Sequence, residues 1–558
     1  MICDEIYGII CNAKVKVYKC ALMPEKIIYK EKKRMKRVIS LLLVCCFLAI
    51  ALVACGGGEK KETSAPTNTG NEVLTDIYGQ TALNSKVDWE ELDFEGEEIT
   101  VLVRNDEKVS REWEREDVGD DELDLAIANR NDVVEGNINV DVQIILEADE
   151  WHANWAAKFP TRITQDVDNG LHNIDLVANF GFNGMNSGLR DYYLNVHDKD
   201  TFPYFNFELM CWNQALIETG TVNGKLFGIV GDMNLSLYDT AMIIWHNKDL
   251  YDQLKTDKDP QDLQDFVIAG DWTYSELYKG ASLYTPASTG AGDCSDIYGT
   301  WFQTTPYPEQ PAEAIPYAFQ LNFITTEANG THSFNFVGND RAEKALNDYR
   351  TLISSNGNLY HLINRTGTAK CTCGTGGHFV SGHILFKGDI IFWSKESNNA
   401  IREMEDTYAL LCWPKYDEAQ DHYATTSQSY LTIVSVLDHS KSSIPTKGEA
   451  ISAYLQYANE YSYTHVRGYY FERIIKPKFF GTDDSDGHVT KSVTVFVNII
   501  ENLEFDFATV YSPMLEKVLE TVWKGTTQAN GTVEQKFNAN KDAYESALKS
   551  LDEWFGLK

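Results

Sequence analysis

The chain has few cations for its length. Of its 558 residues, 49 are Lys or Arg and 82 are Asp or Glu, which gives a formal net charge of −33 at pH 7. Nucleic-acid binding requires clustered cations that replace the counterions of the phosphates. The composition therefore argues against nucleic acid as a partner. A net charge of this size mostly favours solubility, so it carries no information about the ligand.

The sequence also lacks the short motifs that mark common enzyme active sites. It contains no Gly-x-Ser-x-Gly turn, no His-Glu-x-x-His motif and no Gly-x-x-x-x-Gly-Lys-Ser/Thr phosphate loop. It shows no repeat of eight βα units, as a barrel enzyme would, and no tandem repeat of the kind a surface adhesin would have. We therefore expect no catalytic residues and no enzymatic activity.

Cysteine is scarce. The chain has 11 cysteines. Apart from Cys55, the cysteines that follow the amino-terminal hydrophobic segment are odd in number, so they cannot all pair. A disulfide scaffold would have an even number. Cys371 and Cys373, followed by His378 and His383, suggest a zinc site, but one residue between the cysteines is too few for the usual knuckle spacing. We expect neither a metal nor a cofactor.

What the sequence does have is one uninterrupted hydrophobic run, residues 38–54, in which Ser40 is the only polar side chain. Two cations precede it, and small residues close it, as in a secretory signal. The run is slightly short for a membrane span, which needs about 20 apolar residues. Leu52-Val53-Ala54-Cys55 resembles the lipobox of bacterial lipoproteins, which implies acylation and a mature chain that begins at Cys55. The alternative is an uncleaved amino-terminal helix.

Two or three acyl chains on one residue hold a soluble domain at a membrane, whereas one chain anchors it only marginally. We expect an extracytoplasmic protein, anchored to the outer face of the cell membrane by lipid on Cys55. Residues 1–34 fit no signal pattern, and we interpret them as a non-native leader ahead of a start at Met35. Residues 35–54 are then the signal peptide. Residues 55–91, rich in Gly, Ser, Thr, Pro and Asn, are a flexible tether.

From residue 92 onward the pattern is that of an α/β protein. Buried strands are predicted at Ile99–Val103, Ile138–Ile145 and Ile174–Ala178, with helices near Leu123–Glu135 and Trp151–Asp168 between them. This alternation is typical of a parallel sheet with crossover helices. Ligands of such folds bind beyond the carboxyl ends of the strands.

The middle of the chain adds three local predictions. Asn223-Gly224 predicts a tight hairpin turn. The apolar run Leu235–Asn247 predicts one long strand. Thr273, with Glu276 three residues later, predicts the start of a helix through a capping box.

Four segments, in this order, resemble the extracellular sugar-binding lipoproteins of ABC importers (solute-binding family 1). They are DLVANFGFNG from residue 175, GKLFGIVGDMNLSLYDTAMIIWHNKDL from residue 224, DWTYSELYKGA from residue 271 and HFVSGHILFKGDIIFW from residue 378. The resemblance implies a two-lobed, periplasmic-binding-protein-like α/β fold. Each lobe is a mostly parallel sheet flanked by helices, and a multi-strand hinge joins the lobes.

The resemblance also implies how the chain is divided and what it binds. Lobe one is expected to comprise residues 92–237 and 430–503, and lobe two residues 238–429 and 504–558. We expect a monomer that captures a carbohydrate, best matched by an oligosaccharide, between its lobes. Its other partners would be the permease subunits of an ABC transporter and, through the lipid, the membrane. The alternative functions are a lipid-anchored secreted glycoside hydrolase and a glycan-binding surface protein.

A sugar presents hydroxyl groups and an apolar face, so its site needs carboxylates or amides together with flat aromatic rings. Candidate ligand residues follow the predicted strands or lie at the expected lobe crossings: Asp106, Trp151, Phe182, Asn183, Tyr238, Asp239, Trp301, Trp393, Tyr430 and Tyr511. Of these, Trp393 matches the ligand-stacking tryptophan of the family best. For each residue the alternative is ordinary packing in a loop, the hinge or the core.

Overall fold

The computed structural model describes residues 73–75, 81–83, 85–105, 111–113, 121–148, 155–181, 189–283, 296–302, 313–355, 357–359, 378–394, 401, 404–428, 431–475, 488–511, 518, 522 and 531–558. The chain divides after Gly70, and all of the described residues belong to the unit Asn71–Lys558. Every helix within these residues is too short or too polar to cross a membrane.

The strands are short and fall into two four-stranded sheets and two small hairpins. In chain order they are β1 Val73–Thr75, β2 Thr81–Leu83, β3 Glu97–Asn105, β4 Val140–Ala148, β5 Leu176–Phe180, β6 Met242–Asn247, β7 Tyr298–Trp301, β8 Ile324–Thr326, β9 His332–Phe334, β10 Ile384–Ile390, β11 Tyr408–Leu411 and β12 Thr432–Val436.

Helices connect and cover these strands. They are α1 Glu122–Ile138, α2 Trp155–Asp168, α3 Gln214–Gly220, α4 Ser236–Asp239, α5 Lys248–Leu254, α6 Leu263–Ala269, α7 Tyr274–Ala281, α8 Ile315–Ala318, α9 Asp340–Ile353, α10 Gly448–His465, α11 Arg467–Ile475, α12 His488–Glu501, α13 Phe507–Tyr511, α14 Val533–Asn538 and α15 Lys541–Phe555. Turns of 3-10 helix lie at Trp89–Glu91, Arg190–Tyr192 and Ile391–Ser394.

The first sheet has the strand order β12-β5-β3-β4. Strands β4 and β5 both run parallel to β3, whereas β12 runs antiparallel to β5. The predicted parallel sheet is therefore confirmed, together with the crossover helices α1 and α2. Residues 99 and 101–103 of β3 are fully buried because helices cover both faces of the sheet, as the mostly apolar segment predicts.

The second sheet has the strand order β11-β6-β10-β7 and mixed directions. Strand β10 is parallel to β7 and antiparallel to β6, and β6 is also antiparallel to β11. Every residue of β6 is buried, which places this strand in the middle of the core. Helix α12 packs against α6 and β11 of this sheet. The lobe boundaries given above stay a prediction.

The predicted turn is confirmed, the predicted helix start is confirmed without its capping box, and the predicted strand is wrong in part. Asn223 and Gly224 both have positive φ, 49° and 70°, and Val222 pairs with Lys225 across the turn. Thr273 is the N-cap of α7, although its side chain makes no capping hydrogen bond. The run Leu235–Asn247 is not one strand, since Ser236–Asp239 form a helical turn and β6 begins at Met242. Apolar periodicity cannot separate a buried helical turn from a strand.

Candidate functional site

Two short segments connect the sheets and pair with each other. We name them the first crossing (Ser236–Met242) and the second crossing (Thr425–Thr432). The Met242 amide donates to the carbonyl of Thr426 at 3.0 Å, and the Gln428 amide donates to the carbonyl of Thr240 at 2.9 Å. Two antiparallel crossings held by backbone hydrogen bonds permit bending while keeping the register between the lobes.

The crossings place the carboxyl ends of the parallel strands of both sheets near each other. At one end of the second crossing, Thr432 pairs with Phe180, the last residue of β5. At the far end of the first crossing, Met242 pairs with Ile390, the last residue of β10. A ligand site between the sheets is therefore expected beside the crossings, where the strand ends of both lobes converge.

Tyr238 and Asp239 lie in the first crossing and are both buried. The hydroxyl of Tyr470, on α11, donates to Oδ1 of Asp239 at 2.7 Å. The ring of Tyr238 lies 5.5 Å from the ring of Tyr470. The buried carboxylate of Asp239 thus has a protein hydroxyl as its hydrogen-bond partner. A ligand role for Tyr238 or Asp239 stays a prediction.

Glu112 is part of this buried group, and the sequence analysis missed it. Its side chain is 1 % exposed, and it accepts hydrogen bonds from the Ser236 amide at 2.8 Å and the Ser236 hydroxyl at 3.2 Å. Burial raises the pKa of Glu112, although hydrogen bonds from Ser236 and Thr432 oppose the rise. In sequence it lies in Arg-Glu-Trp-Glu-Arg, which is typical of an exposed helix. The one signal against exposure is Trp113, which is fully buried.

Two predicted tryptophans lie at strand ends of the second sheet. Trp301 is the last residue of β7, is 4 % exposed and stacks on His378 with ring centroids 5.7 Å apart. Burial lowers the pKa of His378, and His383 lowers it further. Trp393 lies in the 3-10 turn directly after β10, where the Ile391 amide donates to the carbonyl of Ala241 in the first crossing. The Trp393 side chain is outside the described residues.

Several predicted residues fall outside the described part of the chain. These are Asp106, Trp151, Phe182, Asn183 and Tyr430, and also the lipid-attachment residue Cys55. The strand ends that precede the first four are described. Asn105 and Ala148 pair with each other as the last residues of β3 and β4, and Phe180 ends β5. The roles of all six residues stay predictions.

Tyr511 lies elsewhere, at the end of α13. It is 1 % exposed, and its hydroxyl donates to the carbonyl of Gly220. Its ring lies 4.9 Å from that of Phe555 on α15. Burial raises the pKa of Tyr511 above its ordinary value. These contacts tie α13 and α15 to α3, and no other predicted ligand residue is among them.

A cavity of about 590 Å³ lies next to the second crossing, since Glu504, which lines it, donates its amide to the Thr425 carbonyl. Its lining also includes residues of α3, the Asn223 turn, α8, the hairpin β8–β9 and α13. None of the predicted ligand residues is among the described residues that line it.

The described residues hold no group of three or more His, Cys, Asp or Glu side chains arranged for a metal ion. Cys371 and Cys373 lie outside the described residues. Cys211 and Cys412 are buried free thiols. Burial raises the pKa of both thiols, so they are unreactive at neutral pH.

No family model and no curated protein matches the chain. Among solved structures it is similar to the sugar-binding protein MalE of Xanthomonas citri, with a TM-score of 0.51 and 12% identity over 83% of this chain and 100% of that one. It is also similar to maltose-bound MalE3 of T. maritima, with a TM-score of 0.46 and 14% identity over 81% and 99%.

A third similar structure is the ABC-transporter-associated binding protein of B. animalis subsp. lactis Bl-04, with a TM-score of 0.46 and 13% identity over 82% and 98%. The similarity to the X. citri protein extends over its whole length. It confirms the predicted resemblance at the level of fold. The chain thus has the two-lobed, periplasmic-binding-protein-like α/β fold of MalE.

Proposed function

We propose that the chain is an extracytoplasmic solute-binding protein that captures a carbohydrate, best matched by an oligosaccharide, between its two lobes. The observation that carries the proposal is the convergence of strand ends from both sheets at two hydrogen-bonded crossings. Strand ends that converge at a flexible connection are suited to closing around a ligand. The shared fold supports this assignment, since MalE of X. citri is a sugar-binding protein.

The proposal includes delivery of the sugar to the permease subunits of an ABC transporter. It also includes anchoring to the outer face of the cell membrane through lipid on Cys55, and action as a monomer. The lipobox-like segment Leu52–Cys55 supports the anchor. Metabolic labelling with a fatty-acid analogue should mark the expressed chain and not the Cys55→Ser variant. Equal labelling of the two proteins would rule out Cys55 as the site.

Sugar binding can be tested with the full chain in a zwitterionic detergent that contains no sugar headgroup. A panel from monosaccharides to tetrasaccharides is added while the melting temperature and tryptophan fluorescence are followed. A ligand present at 100 times its Kd stabilises the protein by about 2.7 kcal/mol by mass action. We expect a rise in melting temperature with one class of sugar and recovery of that sugar intact.

The same assay distinguishes the alternatives. A glycoside hydrolase would convert the sugar, which chromatography of the recovered ligand would detect. A glycan-binding surface protein would bind without any change in radius of gyration, which X-ray scattering of the same samples with and without the sugar would measure. The proposal fails if no sugar raises the melting temperature, or if the sugar that does so is recovered cleaved.

A further inference from the structure

We infer that Glu112 is a positioning residue, which fixes the relative orientation of the two lobes by holding both crossings to the first sheet. The inference rests on the proposed function, since it concerns how that binding site responds to its ligand. Glu112 does not contact the ligand in this account. It acts through the two crossings, which it joins to the first sheet.

The carboxylate of Glu112 holds the start of the first crossing. Both of its oxygens accept from Ser236, one from the amide at 2.8 Å and one from the hydroxyl at 3.2 Å. Ser236 begins the helical turn α4, whose first amides have no partner within the turn. The glutamate therefore supplies from a distant part of the chain the acceptor that an N-cap residue supplies locally.

Ser236 passes this contact on to the second crossing. The Thr432 amide donates to the Ser236 hydroxyl at 3.1 Å, and Thr432 is the first residue of β12. The Ser427 hydroxyl donates to the Leu237 carbonyl at 3.1 Å. One carboxylate is thus connected, through one serine, to both segments that must bend when the lobes move.

The backbone around Glu112 is fixed to the first lobe. Nη2 of Arg130, on α1, donates to the Glu112 carbonyl at 2.6 Å, and the side-chain amide of Asn131 donates to the Trp113 carbonyl at 2.7 Å. Glu112 is therefore attached to α1 through its backbone and to the crossings through its side chain.

The electrostatics make the coupling strong. A buried carboxylate that loses its donors bears the full desolvation penalty. The buried titratable groups around Glu112 are Arg130, which attracts it, and Asp239, which repels it. A rotation of the first crossing that withdrew Ser236 would remove the two hydrogen bonds that Ser236 donates to this carboxylate. Glu112 therefore stabilises the orientation of the crossings seen here.

The test replaces Glu112 with Gln in the full chain and uses a matched buried carboxylate as control. Glu460, on α10 of the first lobe, is 5% exposed, its pKa is raised by burial, and it accepts from the side-chain amide of Gln456. Its hydrogen-bond partners, Ser85, Trp89 and Gln456, belong to neither crossing. Glu460→Gln removes a similar charge from a similar environment without touching Ser236.

Two measurements are made on wild type, Glu112→Gln and Glu460→Gln. Without any ligand, X-ray scattering should show a changed distribution of interlobe distances for Glu112→Gln only. Both variants should have lower melting temperatures than wild type. With maltose as the first probe and then the sugar found by the panel, Kd should rise about tenfold for Glu112→Gln only. Kd rises because, in Glu112→Gln, the sugar must itself fix the lobe orientation that the carboxylate fixes in wild type.

Scattering profiles of the three ligand-free proteins that superimpose would overturn the inference. So would an equal change in Kd for the two variants, which would indicate a general loss of stability. If no sugar binds to any of the proteins while the ligand-free profile of Glu112→Gln still differs, the coupling holds and the proposed function fails. The two failures are thus distinguishable.

Discussion

His246 makes the stability of this protein depend on pH in a way that can be calculated. It lies in β6, is 2% exposed, and stacks on Phe386 with ring centroids 5.2 Å apart. Burial, with a smaller contribution from Lys248, lowers the pKa of His246 to about 3. The unfolded chain binds a proton at this residue near pH 6.5, whereas the folded chain does not do so until near pH 3.

The sign of the effect follows from proton linkage. Where the unfolded state binds more protons than the folded state, the free energy of unfolding falls as the pH falls. One pKa unit corresponds to about 1.36 kcal/mol, so His246 should cost about 2 kcal/mol of stability at pH 5. The full loss, reached near pH 3, is about 5 kcal/mol. Globular proteins have only about 5–15 kcal/mol in total.

The assay is urea unfolding of wild type and His246→Gln at pH 7 and pH 5, followed by tryptophan fluorescence. The variant has a lower stability at both pH values because a buried ring is lost. The decisive quantity is the change between the two pH values, which should be about 2 kcal/mol smaller in the variant. Other histidines contribute equally to both proteins and cancel.

His422→Gln is the control with the opposite sign. Burial alone lowers the pKa of His422, but hydrogen bonds with Glu504 and Asp421 outweigh it and raise the pKa above 6.5. The stabilisation of the folded state by His422 is present below pH 6.5 and is lost as the pH rises through its folded-state pKa. The change in unfolding free energy between pH 6.5 and 9 should therefore differ between this variant and wild type. If His246→Gln and wild type lose the same free energy between pH 7 and 5, the burial argument is wrong.

Three further predictions concern packing and the ligand site. Trp554, on α15, donates its indole N–H to Asp191 at 2.8 Å and lies under Arg190, so Trp554→Ala should cost about 2–3 kcal/mol in urea unfolding and Trp554→Phe about 1 kcal/mol; a Trp554→Phe variant as stable as wild type would deny the hydrogen bond any role, and equal costs for the two variants would deny the ring packing any role. A Cβ on Gly299 would lie 2.0 Å from the Ala281 carbonyl oxygen, so Gly299→Ala should lower the free energy of unfolding by about 1–3 kcal/mol or more. Gly136 is on a helix with open space around it, so Gly136→Ala should raise the free energy of unfolding by about 0.5–1 kcal/mol. Thermal melts that rank the two variants the other way would refute this. Trp393→Ala should abolish the fluorescence and melting responses to sugar and leave the melting temperature of the ligand-free protein nearly unchanged; a retained response would remove Trp393 from the site.

The first sheet could be predicted from the sequence because its strands are local patterns. A mostly apolar segment such as Ile99–Val103, in which Thr100 is the one polar residue, is typical of a strand buried on both faces of a sheet covered by helices. The Asn223-Gly224 turn was equally readable, since both residues tolerate positive φ.

The crossings were less predictable because tertiary contacts determine their conformation. The apolar run before β6 gives no sign that Ser236–Asp239 turn as a helix, and the acceptor that favours the turn is Glu112, 124 positions away in sequence. The burial of Glu112 depends on α1 and on the second crossing together. Because Glu112 is a charged residue in a charged segment, the local sequence does not indicate that it lies at the hinge.

The pairing of β5 with β12 has a consequence for biogenesis. The strand that completes the first sheet is synthesised only after the whole of the second sheet, from β6 to β11, has been made. Contacts this remote in sequence form slowly, because a long loop must close before they form. The proposed export would require the chain to pass through a translocase unfolded, and this topology leaves the first sheet incomplete until most of the polypeptide has been synthesised.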